Sequence, residues 1–520
     1  MPASHVITNV TESQLVRLAQ EIAFAARKGD LITLRGGLGA GKTTLARALI
    51  NALQGGAREE IPSPTFTLVQ TYATPRMAVA HFDLYRLNDP SEFDELGLDD
   101  ALQSGLALLE WPERAREALP DSRLELLLED ECVPSTATES GKRRITLTGH
   151  GNWSQRLERL MAMHVMIHNA GMGGDTCTLR YLQGDASVRR YARLACSGRS
   201  GALVMDWPHQ PDGPPVRGNL PYSRIAHLAE NVRPFVAVAG ALRAAGLSAP
   251  EIYAHNLDSG LLLLEDLGDR IFGREVETGA SDQAKLWRAA AEALVELRVT
   301  PPAEHLLIVN GTSYRLPVYD NSALSIEVEL LLDWYWPAVL GAPAPQDARA
   351  EFAALWNVVF DLLRVQPIGW VLRDYHSPNL IWLPARKGIA RVGIIDFQDA
   401  MRGPPAYDLV SLLQDARIDV APELEALLFD HYCAKVAARQ TGFDRDAFAY
   451  AYAALGAQRS TKILGIFARL AQRDGKPSYL RHIPRLWRYL ERDLAHPELG
   501  ALRAWYDRHM PTDVRLRKLA

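Results

Sequence analysis

Cysteine is scarce in this chain of 520 residues, which has four, at positions 132, 177, 196 and 433. They form no C-x-x-C pair and no zinc-type spacing, which predicts reduced, scattered thiols and a reducing, cytoplasmic environment. Long apolar runs are also missing, because no stretch approaches the roughly 18 apolar residues that span a membrane. The N-terminus MPASHVITNV shows no charged segment followed by an apolar run. We therefore expect neither secretion nor membrane insertion.

The chain also lacks a strong excess of charge of either sign. Its net charge of -5 excludes a basic field that would gather nucleic acid unaided, so any role on RNA would run through partner proteins. The composition, 48% hydrophobic and 23% charged, is typical of folded globular protein. Because domains usually hold about 100 to 200 residues, the length predicts two or three of them.

The pattern of hydrophobic residues divides the chain near residues 165–175. Strand and helix patterns alternate before this point, which predicts an α/β domain over residues 1–165. The dividing stretch itself has glycine and methionine but no clear period. A second domain is expected over residues 175–520. Strands dominate its beginning and amphipathic helices the rest, which predicts a small lobe at about 175–268 and a large helical lobe at about 269–520.

The segment GGLGAGKTTLARAL, which begins at Gly36, satisfies the pattern G-x-x-x-x-G-K-[ST] between a strand pattern and a helix pattern. In such a loop, backbone N–H groups and the helix N-terminus face a bound phosphate. Lys42 would contact the β- and γ-phosphates of ATP, and the Thr43 hydroxyl would hold Mg²⁺. The predicted nucleotide-binding residues are Gly36, Gly37, Gly39, Ala40, Gly41, Lys42, Thr43 and Thr44.

Two carboxylates stand at the predicted ends of later strands. Asp83 lies in HFDLYRL, and Glu110 ends the apolar run LALLE. Carboxylates at the carboxyl ends of strands in an α/β sheet lie where a nucleotide would bind. From the residues alone, a role beside a metal ion and a role as a capping or solvated group both stay open.

Five motifs together resemble the bacterial TsaE family over about residues 5–155: GGLGAGKTTLARAL, SPTFTLVQTY, HFDLYRL, ELGLDD and LLEWPE. The resemblance implies a small P-loop ATPase that supports threonylcarbamoyladenosine synthesis on tRNA. It would work with TsaB-like and TsaD-like partners and meet tRNA only indirectly. The resemblance also implies that Glu110 is a metal ligand and that Asp83 is a water-activating or metal-linked catalytic carboxylate. Residues 63–66 would sense the nucleotide, and Trp111 would lie beside the site.

A different phosphate-handling motif occurs in the second domain. In RDYHSPN, Asn379 follows Asp374 at the D-x-x-x-x-N interval of a kinase catalytic loop. Two short strand patterns follow and predict a hairpin that returns Asp396 to the side of Asn379. Asp374 could then act as the catalytic base toward an attacking hydroxyl, while Asn379 and Asp396 hold Mg²⁺ against the transferred phosphoryl group. We expect Asp408 to brace this loop and His376 to orient it.

The usual lysine of a kinase small lobe is missing, because the chain has no lysine between positions 142 and 285. The segment GDASVRRYARL offers arginines instead, and guanidinium groups bind phosphate well. We predict that Ser187 lies in a turn over the phosphates of ATP. Arg190, or its neighbours Arg189 and Arg193, would supply the missing cation.

These motifs, together with LLLLEDLGD, GIIDFQDAMRGPPAYDL and a long helical stretch after residue 460, resemble the aminoglycoside phosphotransferase superfamily. Within it they resemble the AmgK sugar kinases, over about residues 178–515. The resemblance implies an α+β, two-lobed protein-kinase-like fold that uses ATP and Mg²⁺, with Glu265 at the lobe hinge near adenine. It also implies an anomeric kinase for N-acetylmuramate and N-acetylglucosamine in peptidoglycan recycling.

The sequence thus predicts a fusion of an α/β P-loop NTPase domain with a two-lobed kinase, whose sites are tethered but work independently. Two alternatives stay open. The first domain could be a nucleotide-gated binding subunit without significant turnover. The second could phosphorylate another small hydroxyl substrate, such as an aminoglycoside, choline or homoserine, because no single residue ties its cleft to a sugar.

Overall fold

The computed structural model describes residues 2–55, 60–87, 89–115, 119–131, 142–182 and 189–519. The chain packs into two compact units. The first comprises Met1–His209 and Ile252–Asp266, and the second comprises Gln210–Glu251 and Leu267–Ala520. Because close packing alone does not show which segments fold separately, the domain boundary expected at 165–175 stays a prediction.

A seven-stranded mixed sheet frames the first unit. Its strands are β1 (Ala3–Val10), β2 (Leu31–Gly36), β3 (Val69–Ala73), β4 (Ala78–Asp83), β5 (Gly105–Glu110), β6 (Arg123–Asp130) and β7 (Arg143–His150). They lie in the order β1-β7-β6-β2-β5-β4-β3. The central strands β6, β2, β5 and β4 are parallel, and the outer strands pair antiparallel. The run of buried side chains along β2 and β5 is typical of strands covered on both faces.

Helices connect and cover these strands: α1 (Glu12–Ala25), α2 (Lys42–Leu53), α3 (Leu98–Ser104) and α4 (Trp153–Asn169). A capping box starts α1, because Thr11 and Gln14 exchange hydrogen bonds between side chain and backbone. The N-terminus of α2 follows the glycine loop, with Gly41 as its N-cap. The strand, loop and helix around this motif therefore lie as the sequence predicts.

A second, five-stranded antiparallel sheet completes the first unit. Its strands are β8 (Cys177–Leu182), β9 (Arg190–Cys196), β10 (Ala202–Asp206), β13 (Ile252–Asn256) and β14 (Leu261–Glu265). They lie in the order β13-β14-β10-β9-β8. The strands between them in sequence, β11 (Pro215–Arg217) and β12 (Leu220–Pro221), pair with each other in the second unit.

Two of the four cysteines are not reduced thiols. Cys177 and Cys196 are register partners on β8 and β9 and are joined by a disulfide. The expectation of reduced cysteines is therefore wrong for this pair, because strand pairing brings together residues that no sequence spacing associates. Cys433 is free and buried, and burial raises the pKa of its thiol to about 11. Cys132 lies outside the described residues.

One continuous hydrophobic core joins the two sheets of the first unit. Helices α1, α2 and α4 contact strands of the five-stranded sheet. Leu15 and Ile22 of α1 belong to the same buried cluster as Leu179 of β8 and Leu263 of β14. A polar contact crosses the same junction, where the Gln20 side chain accepts a hydrogen bond from the backbone N–H of Leu179 at 2.7 Å. The strands expected in the kinase small lobe are thus packed on the N-terminal helices and not only tethered to them.

The second unit is mainly helical. Its helices are α5 (Tyr222–Ile225), α6 (Arg233–Ala244), α7 (Phe272–Glu277), α8 (Gln283–Val299), α9 (Asn321–Val328), α10 (Trp336–Leu340), α11 (Gln346–Leu363), α12 (Ala406–Leu413), α13 (Pro422–Ala437), α14 (Arg445–Gln472), α15 (Ile483–Asp493), α16 (Gly500–His509) and α17 (Thr512–Arg515). The largely buried α14 packs against α9, α12 and α15 and forms the centre of this unit.

Three further short antiparallel strand pairs, besides β11 with β12, accompany these helices in the part of the chain that the structure describes. Their strands are β15 (His305–Leu307), β16 (Ser313–Arg315), β17 (Gly369–Val371), β18 (Leu380–Trp382), β19 (Val392–Ile394) and β20 (Met401–Gly403). The pairs are β15 with β16, β17 with β20, and β18 with β19. Across the described ranges, none of the helices has the length and apolar character needed to span a bilayer.

Candidate functional sites

The glycine loop of the first unit needs its glycines. Gly36 has φ +140° and Gly41 has φ +102°, conformations that L side chains rarely adopt. A Cβ on Gly36 would also lie 2.3 Å from the Leu128 carbonyl oxygen of the neighbouring strand. The loop carbonyl of Ala40 is held from the side by the Arg143 Nε, which donates to it at 2.8 Å. The backbone is therefore fixed in a turn that leads from β2 into the N-terminus of α2.

Lys42 lies folded over this loop. Its Nζ donates to the Gly36 and Gly37 carbonyl oxygens at 2.9 and 2.7 Å, and it lies 3.7 Å from the ring centroid of Trp111. The residue is 5% exposed, and burial lowers the pKa of its ammonium. The cation thus stands at the loop that would surround a phosphate, as the motif predicts.

Glu110 and its partners form the next part of the site. The Thr43 hydroxyl donates to Glu110 Oε2 at 2.9 Å, and His81 Nε2 lies 2.9 Å from Glu110 Oε1. His81 and Glu110 are both buried, and Asp83 is the register partner of Glu110 on the adjacent parallel strand. The two predicted carboxylates therefore end neighbouring strands beside the start of α2.

Asp83 is held by donors from the SPTF segment. The Thr65 hydroxyl donates to Asp83 Oδ2 at 2.7 Å, with the Ser63 hydroxyl at 3.4 Å, and the backbone N–H of Tyr85 donates to Oδ1 at 3.0 Å. Phe66 of the same segment is 79% exposed. The segment that the family resemblance links to nucleotide sensing is thus hydrogen-bonded to the predicted catalytic carboxylate.

The donor set of this site fits a magnesium nucleotide. Mg²⁺ prefers oxygen ligands and is usually held by one or two carboxylates or hydroxyls together with phosphate oxygens. Thr43 and Glu110 supply a hydroxyl and a carboxylate at hydrogen-bonding distance, and the glycine loop supplies backbone N–H groups. Over the described ranges, three or more His, Cys, Asp or Glu side chains do not converge in any metal-binding group.

The predicted catalytic loop of the second unit, residues 374–379, lies where its three predicted residues come together. Asn379 Nδ2 donates to the Asp374 backbone carbonyl at 3.0 Å and lies 3.5 Å from Asp396 Oδ2. Strands β18 and β19 pair as the predicted hairpin and deliver Asp396 beside Asn379. The Asp374 side chain is 41% exposed. An amide and a carboxylate oxygen side by side fit Mg²⁺, and an accessible Asp374 fits a base toward a substrate hydroxyl.

Two residues of this loop region have unusual backbone conformations. Arg373 and Asp396 have φ of +73° and +61°, which non-glycine residues seldom adopt. Asp408 holds the backbone at Arg373, because its carboxylate accepts the backbone N–H groups of Leu372 and Arg373 at 2.6 and 2.9 Å. Burial raises the pKa of Asp408 to about 7, although both N–H donors favour the ionised form. This is the bracing contact expected from the sequence.

His376 lies between the loop and a neighbouring arginine. Its Nε2 is 3.9 Å from Asp374 Oδ1 and 3.4 Å from Asn379 Nδ2, and its Nδ1 is 3.2 Å from Arg417 Nη1. Burial lowers the pKa of His376 to about 3, so the ring is neutral. A guanidinium can only donate, so Nδ1 accepts from Arg417 and Nε2 carries the hydrogen. The ring therefore orients the loop, as expected.

A buried charge network supports the loop. Glu327 of α9 is fully buried and pairs with Arg373, and it accepts from Lys462 Nζ at 2.9 Å and from the Tyr319 hydroxyl at 2.5 Å. Burial raises the pKa of Glu327, but Arg373 and Lys462 outweigh burial and lower it to about 2. Because Arg373 directly precedes Asp374, this network fixes the backbone that carries the predicted base.

The remaining predicted ATP ligands lie in the five-stranded sheet or outside the described residues. Arg190 pairs with Asp206 and donates to the Phe24 carbonyl oxygen at 3.2 Å. Glu265 ends β14, and Ser187 falls outside the described residues. The roles of these three residues in ATP binding stay predictions.

Sequence reasoning missed several partners of the site residues. His81 on Glu110 and Glu327 on Arg373 carry no local motif. In principle, the single polar residue of the apolar strand AVAHF could have drawn attention to His81, whereas Glu327 has Ser325 and Glu329 close by in sequence and does not stand out. The donor roles of Ser63 and Thr65 depend on how the SPTF segment folds back onto β4.

The geometry defines a protein with two phosphate-handling sites of different kinds: a glycine loop that enters a helix, and a D-x-x-x-x-N loop followed by a hairpin. Family models match both parts. Residues 9–138 match the threonylcarbamoyl adenosine biosynthesis protein TsaE, and residues 178–449 match the phosphotransferase enzyme family. The chain belongs to the TsaE family through its N-terminal part and to the phosphotransferase enzyme family through its C-terminal part.

Curated relatives cover the same two parts. An N-acetylmuramate/N-acetylglucosamine kinase of Caulobacter vibrioides is 43% identical over 343 residues, which are 64% of this chain and 92% of the relative. A tRNA threonylcarbamoyladenosine biosynthesis protein TsaE of Rickettsia bellii is 40% identical over 131 residues, which are 25% of this chain and 90% of the relative. A solved structure, the Plasmodium vivax ethanolamine kinase, is 10% identical to this chain. The match covers 68% of this chain and 92% of the kinase chain, with a TM-score of 0.43.

Proposed function

We propose that the C-terminal part is an ATP- and Mg²⁺-dependent kinase that phosphorylates the anomeric hydroxyl of N-acetylmuramate and N-acetylglucosamine in cell-wall recycling. The observation that carries this proposal is the assembled trio of Asp374, Asn379 and Asp396, in a chain that covers 92% of a kinase named for these sugars. Asp374 accepts the proton of the attacking hydroxyl, and Asn379 and Asp396 hold Mg²⁺. Ser187 and Arg190 contact the phosphates of ATP, and Glu265 lies near adenine.

We propose that the N-terminal part has a P-loop NTPase fold and acts as an ATPase that supports threonylcarbamoyladenosine modification of tRNA. Lys42 and the loop N–H groups bind the phosphates, Thr43 and Glu110 hold Mg²⁺, and Asp83 activates water or orders the metal. The hydrogen bond from Thr43 to Glu110 supports the metal assignment. The partners would be TsaB-like and TsaD-like proteins, with tRNA met only through them. A cytoplasmic location follows from this role.

The kinase proposal is tested by substrate range. The purified full chain, supplied with ATP and Mg²⁺, is assayed against N-acetylmuramate, N-acetylglucosamine, an aminoglycoside, choline and homoserine. We expect phosphorylation of the two amino sugars, with the phosphate on the anomeric oxygen by ³¹P and ¹H NMR. Turnover of the aminoglycoside, choline or homoserine in preference to both sugars would replace the proposal with the alternative substrate class.

The ATPase proposal is tested by partner dependence. ATP hydrolysis by the full chain with Asp374→Asn, which silences the kinase site, is measured alone and with TsaB-like and TsaD-like proteins. We expect slow hydrolysis that rises when both partners are present. Binding of ATP without measurable hydrolysis under either condition would instead favour a nucleotide-gated binding subunit.

A further inference from the structure

A cluster of cationic side chains lies beside the catalytic loop of the second unit. Arg417 follows α12, and Arg481 and His482 end the short turn before α15. Arg417 Nη1 lies 3.2 Å from His376 Nδ1, and Arg481 Nε lies 3.2 Å from His482 Nε2. The Phe467 ring lies 5.9 Å from the His482 ring and 5.2 Å from the Tyr479 ring, which links His482 to the side of Arg417, and the charges of both arginines lower the pKa of His482. We call Arg417, Arg481 and His482 the cationic cluster.

The carboxylates around the cationic cluster are already engaged. Asp419 pairs with Arg485 at 2.6 Å and with Arg488 at 3.1 Å. Asp415 is buried and accepts the backbone N–H groups of Ser377 and Arg417 at 2.8 Å each. Among the residues that the structure describes, neither Arg417 nor Arg481 forms an ion pair with a carboxylate. Two guanidinium charges beside the catalytic loop are therefore left without an anionic partner.

His482 lies between two guanidinium groups. It is 8% exposed, and its two ring nitrogens face Arg481 Nε at 3.2 Å and Arg485 Nη1 at 3.1 Å. A neutral imidazole accepts at one nitrogen only, and a guanidinium never accepts, so one of these two contacts sets donor against donor. Burial lowers the pKa of His482 to about 4, with the adjacent arginines adding to the effect, which keeps the ring neutral. An anion that drew the Arg481 guanidinium away from the ring would relieve this contact.

The cationic cluster is also close to the reacting atoms. Arg417 contacts His376, and His376 Nε2 lies 3.9 Å from Asp374 Oδ1. One imidazole ring therefore separates the Arg417 guanidinium from the Asp374 carboxylate. The ring of Tyr479 lies 5.8 Å from the Arg417 guanidinium and 5.2 Å from the Phe467 ring, which gives the cationic cluster an aromatic border.

We propose that Arg417 and Arg481 form an oxyanion-binding subsite for the carboxylate of the acceptor sugar, so that the kinase discriminates acidic amino sugars from neutral ones. The inference rests on the proposed kinase function. N-acetylmuramate carries a lactyl carboxylate that N-acetylglucosamine lacks, and the two sugars are otherwise alike. A guanidinium pair is suited to a carboxylate because its donors match the two oxygens.

The test compares kcat/KM for the two sugars in the full chain with Arg481→Met. We expect the ratio of N-acetylmuramate to N-acetylglucosamine to fall about 10- to 100-fold, the value of a lost charge-assisted hydrogen bond. Arg481→Lys, which keeps the charge, should recover part of the ratio. Arg488→Met is the matched control, since it removes the same charge from the adjoining helix α15 at a residue already paired with Asp419, and its ratio should stay at the wild-type value.

Each other outcome counts against the proposal in a distinct way. An unchanged ratio in a folded Arg481→Met protein, judged by its melting temperature, overturns the carboxylate subsite while leaving the kinase proposal intact. A KM for ATP that rises equally with both sugars assigns the cationic cluster to the γ-phosphate instead. Wild-type protein that phosphorylates neither sugar refutes the proposed function itself. Arg417 is not used as the primary variant because its contact with His376 would alter turnover of both sugars.

Discussion

The two phosphate-handling sites differ in how much of their chemistry is buried. In the first unit Lys42, Asp83 and Glu110 are 5%, 3% and 1% exposed, and each is held by hydrogen bonds to its neighbours. In the second unit the Asp374 side chain is 41% exposed. A site built on a main-chain loop would surround its ligand with fixed groups, whereas a site that transfers a phosphoryl group to a second molecule would leave its predicted base open to that molecule.

The backbone is also held in place in a different way at each site. The glycine loop is fixed by backbone conformation, and Gly36 has no room for a side chain. The catalytic loop is fixed by buried side chains. Asp408 accepts the backbone N–H groups of Leu372 and Arg373, and Glu327 pairs with the Arg373 side chain. Substitutions in the glycine loop should therefore change nucleotide binding. Substitutions of Asp408 or Glu327 should change the free energy of unfolding and the position of Asp374.

The strongest test of this difference is Asp374→Asn. Removing a general base costs roughly 10²- to 10⁴-fold in rate, so sugar phosphorylation should fall by about this factor while the protein keeps its melting temperature. Coupled-enzyme detection of ADP in the presence of sugar measures the effect. Lys42→Ala, the matched loss at the other site, should leave sugar phosphorylation at the wild-type rate. Loss of that activity in Lys42→Ala would mean that the two sites do not work independently.

A second test concerns the network beneath the catalytic loop. Glu327→Gln leaves Arg373 and Lys462 buried without a carboxylate, and breaking a buried pair in this way costs about 3–5 kcal/mol. Urea denaturation followed by tryptophan fluorescence should show this loss. Glu351→Gln is the control, because Glu351 pairs with Arg508 at a partly exposed position and should cost about 0–1 kcal/mol.

The same network predicts a pH dependence of stability. The pKa of Glu327 is about 2 in the folded protein and 4.5 as a reference value. When a carboxylate has a lower pKa in the folded protein than in the unfolded chain, it stabilises the fold fully at a pH above its pKa in the unfolded chain. This stabilisation is lost as the pH falls through its pKa in the folded protein. The wild-type free energy of unfolding should therefore fall between pH 4.5 and 2 more steeply than that of Glu327→Gln. Parallel slopes for the two proteins would show that Glu327 is not held ionised.

A third test concerns the glycine loop. Lys42→Ala removes the one ammonium that lies on the loop carbonyls, and losing a preorganised charge that stabilises a transition state costs about 10²- to 10³-fold. ATP hydrolysis in the presence of TsaB-like and TsaD-like partners should fall by this amount. The measurement compares the Asp374→Asn protein with a protein that carries both Lys42→Ala and Asp374→Asn. Unchanged hydrolysis would place the hydrolytic site elsewhere.

The parts of these sites that the sequence predicts are those with local geometry. Gly36 to Thr44 are contiguous, and Asp374, Asn379 and Asp396 are linked by one loop and one hairpin, so spacing is enough to bring them together. The strand ends at Asp83 and Glu110 follow from apolar runs that stop at a charge. For these residues, the structure shows the arrangement that the pattern indicates.

The parts that the sequence does not predict depend on packing between distant segments. Cys177 and Cys196 meet through strand register, and Arg190 meets Asp206 across two strands. The contact of Gln20 with Leu179 joins segments that the sequence assigns to separate domains. Such pairings are set by which apolar faces bury each other, and no spacing rule encodes them.

The smallest effect that we predict concerns the contact between Lys42 and Trp111. Trp111 lies 3.7 Å from the Lys42 Nζ, and such a cation–π contact contributes about 0.5–1 kcal/mol. Trp111→Leu removes this competing contact, so Lys42 should become freer to meet a phosphate and ATP should bind roughly two- to fivefold more tightly. Isothermal titration with ATP in a background with Asp374→Asn and Asp396→Ala, in which the second site lacks its proposed base and one proposed metal ligand, measures the change, and Trp111→Phe, which keeps an aromatic face, should stay near the wild-type affinity. Weaker binding in Trp111→Leu would instead mean that the indole contacts the nucleotide itself, and the glycine-loop site would then depend on a side-chain surface in addition to its main chain.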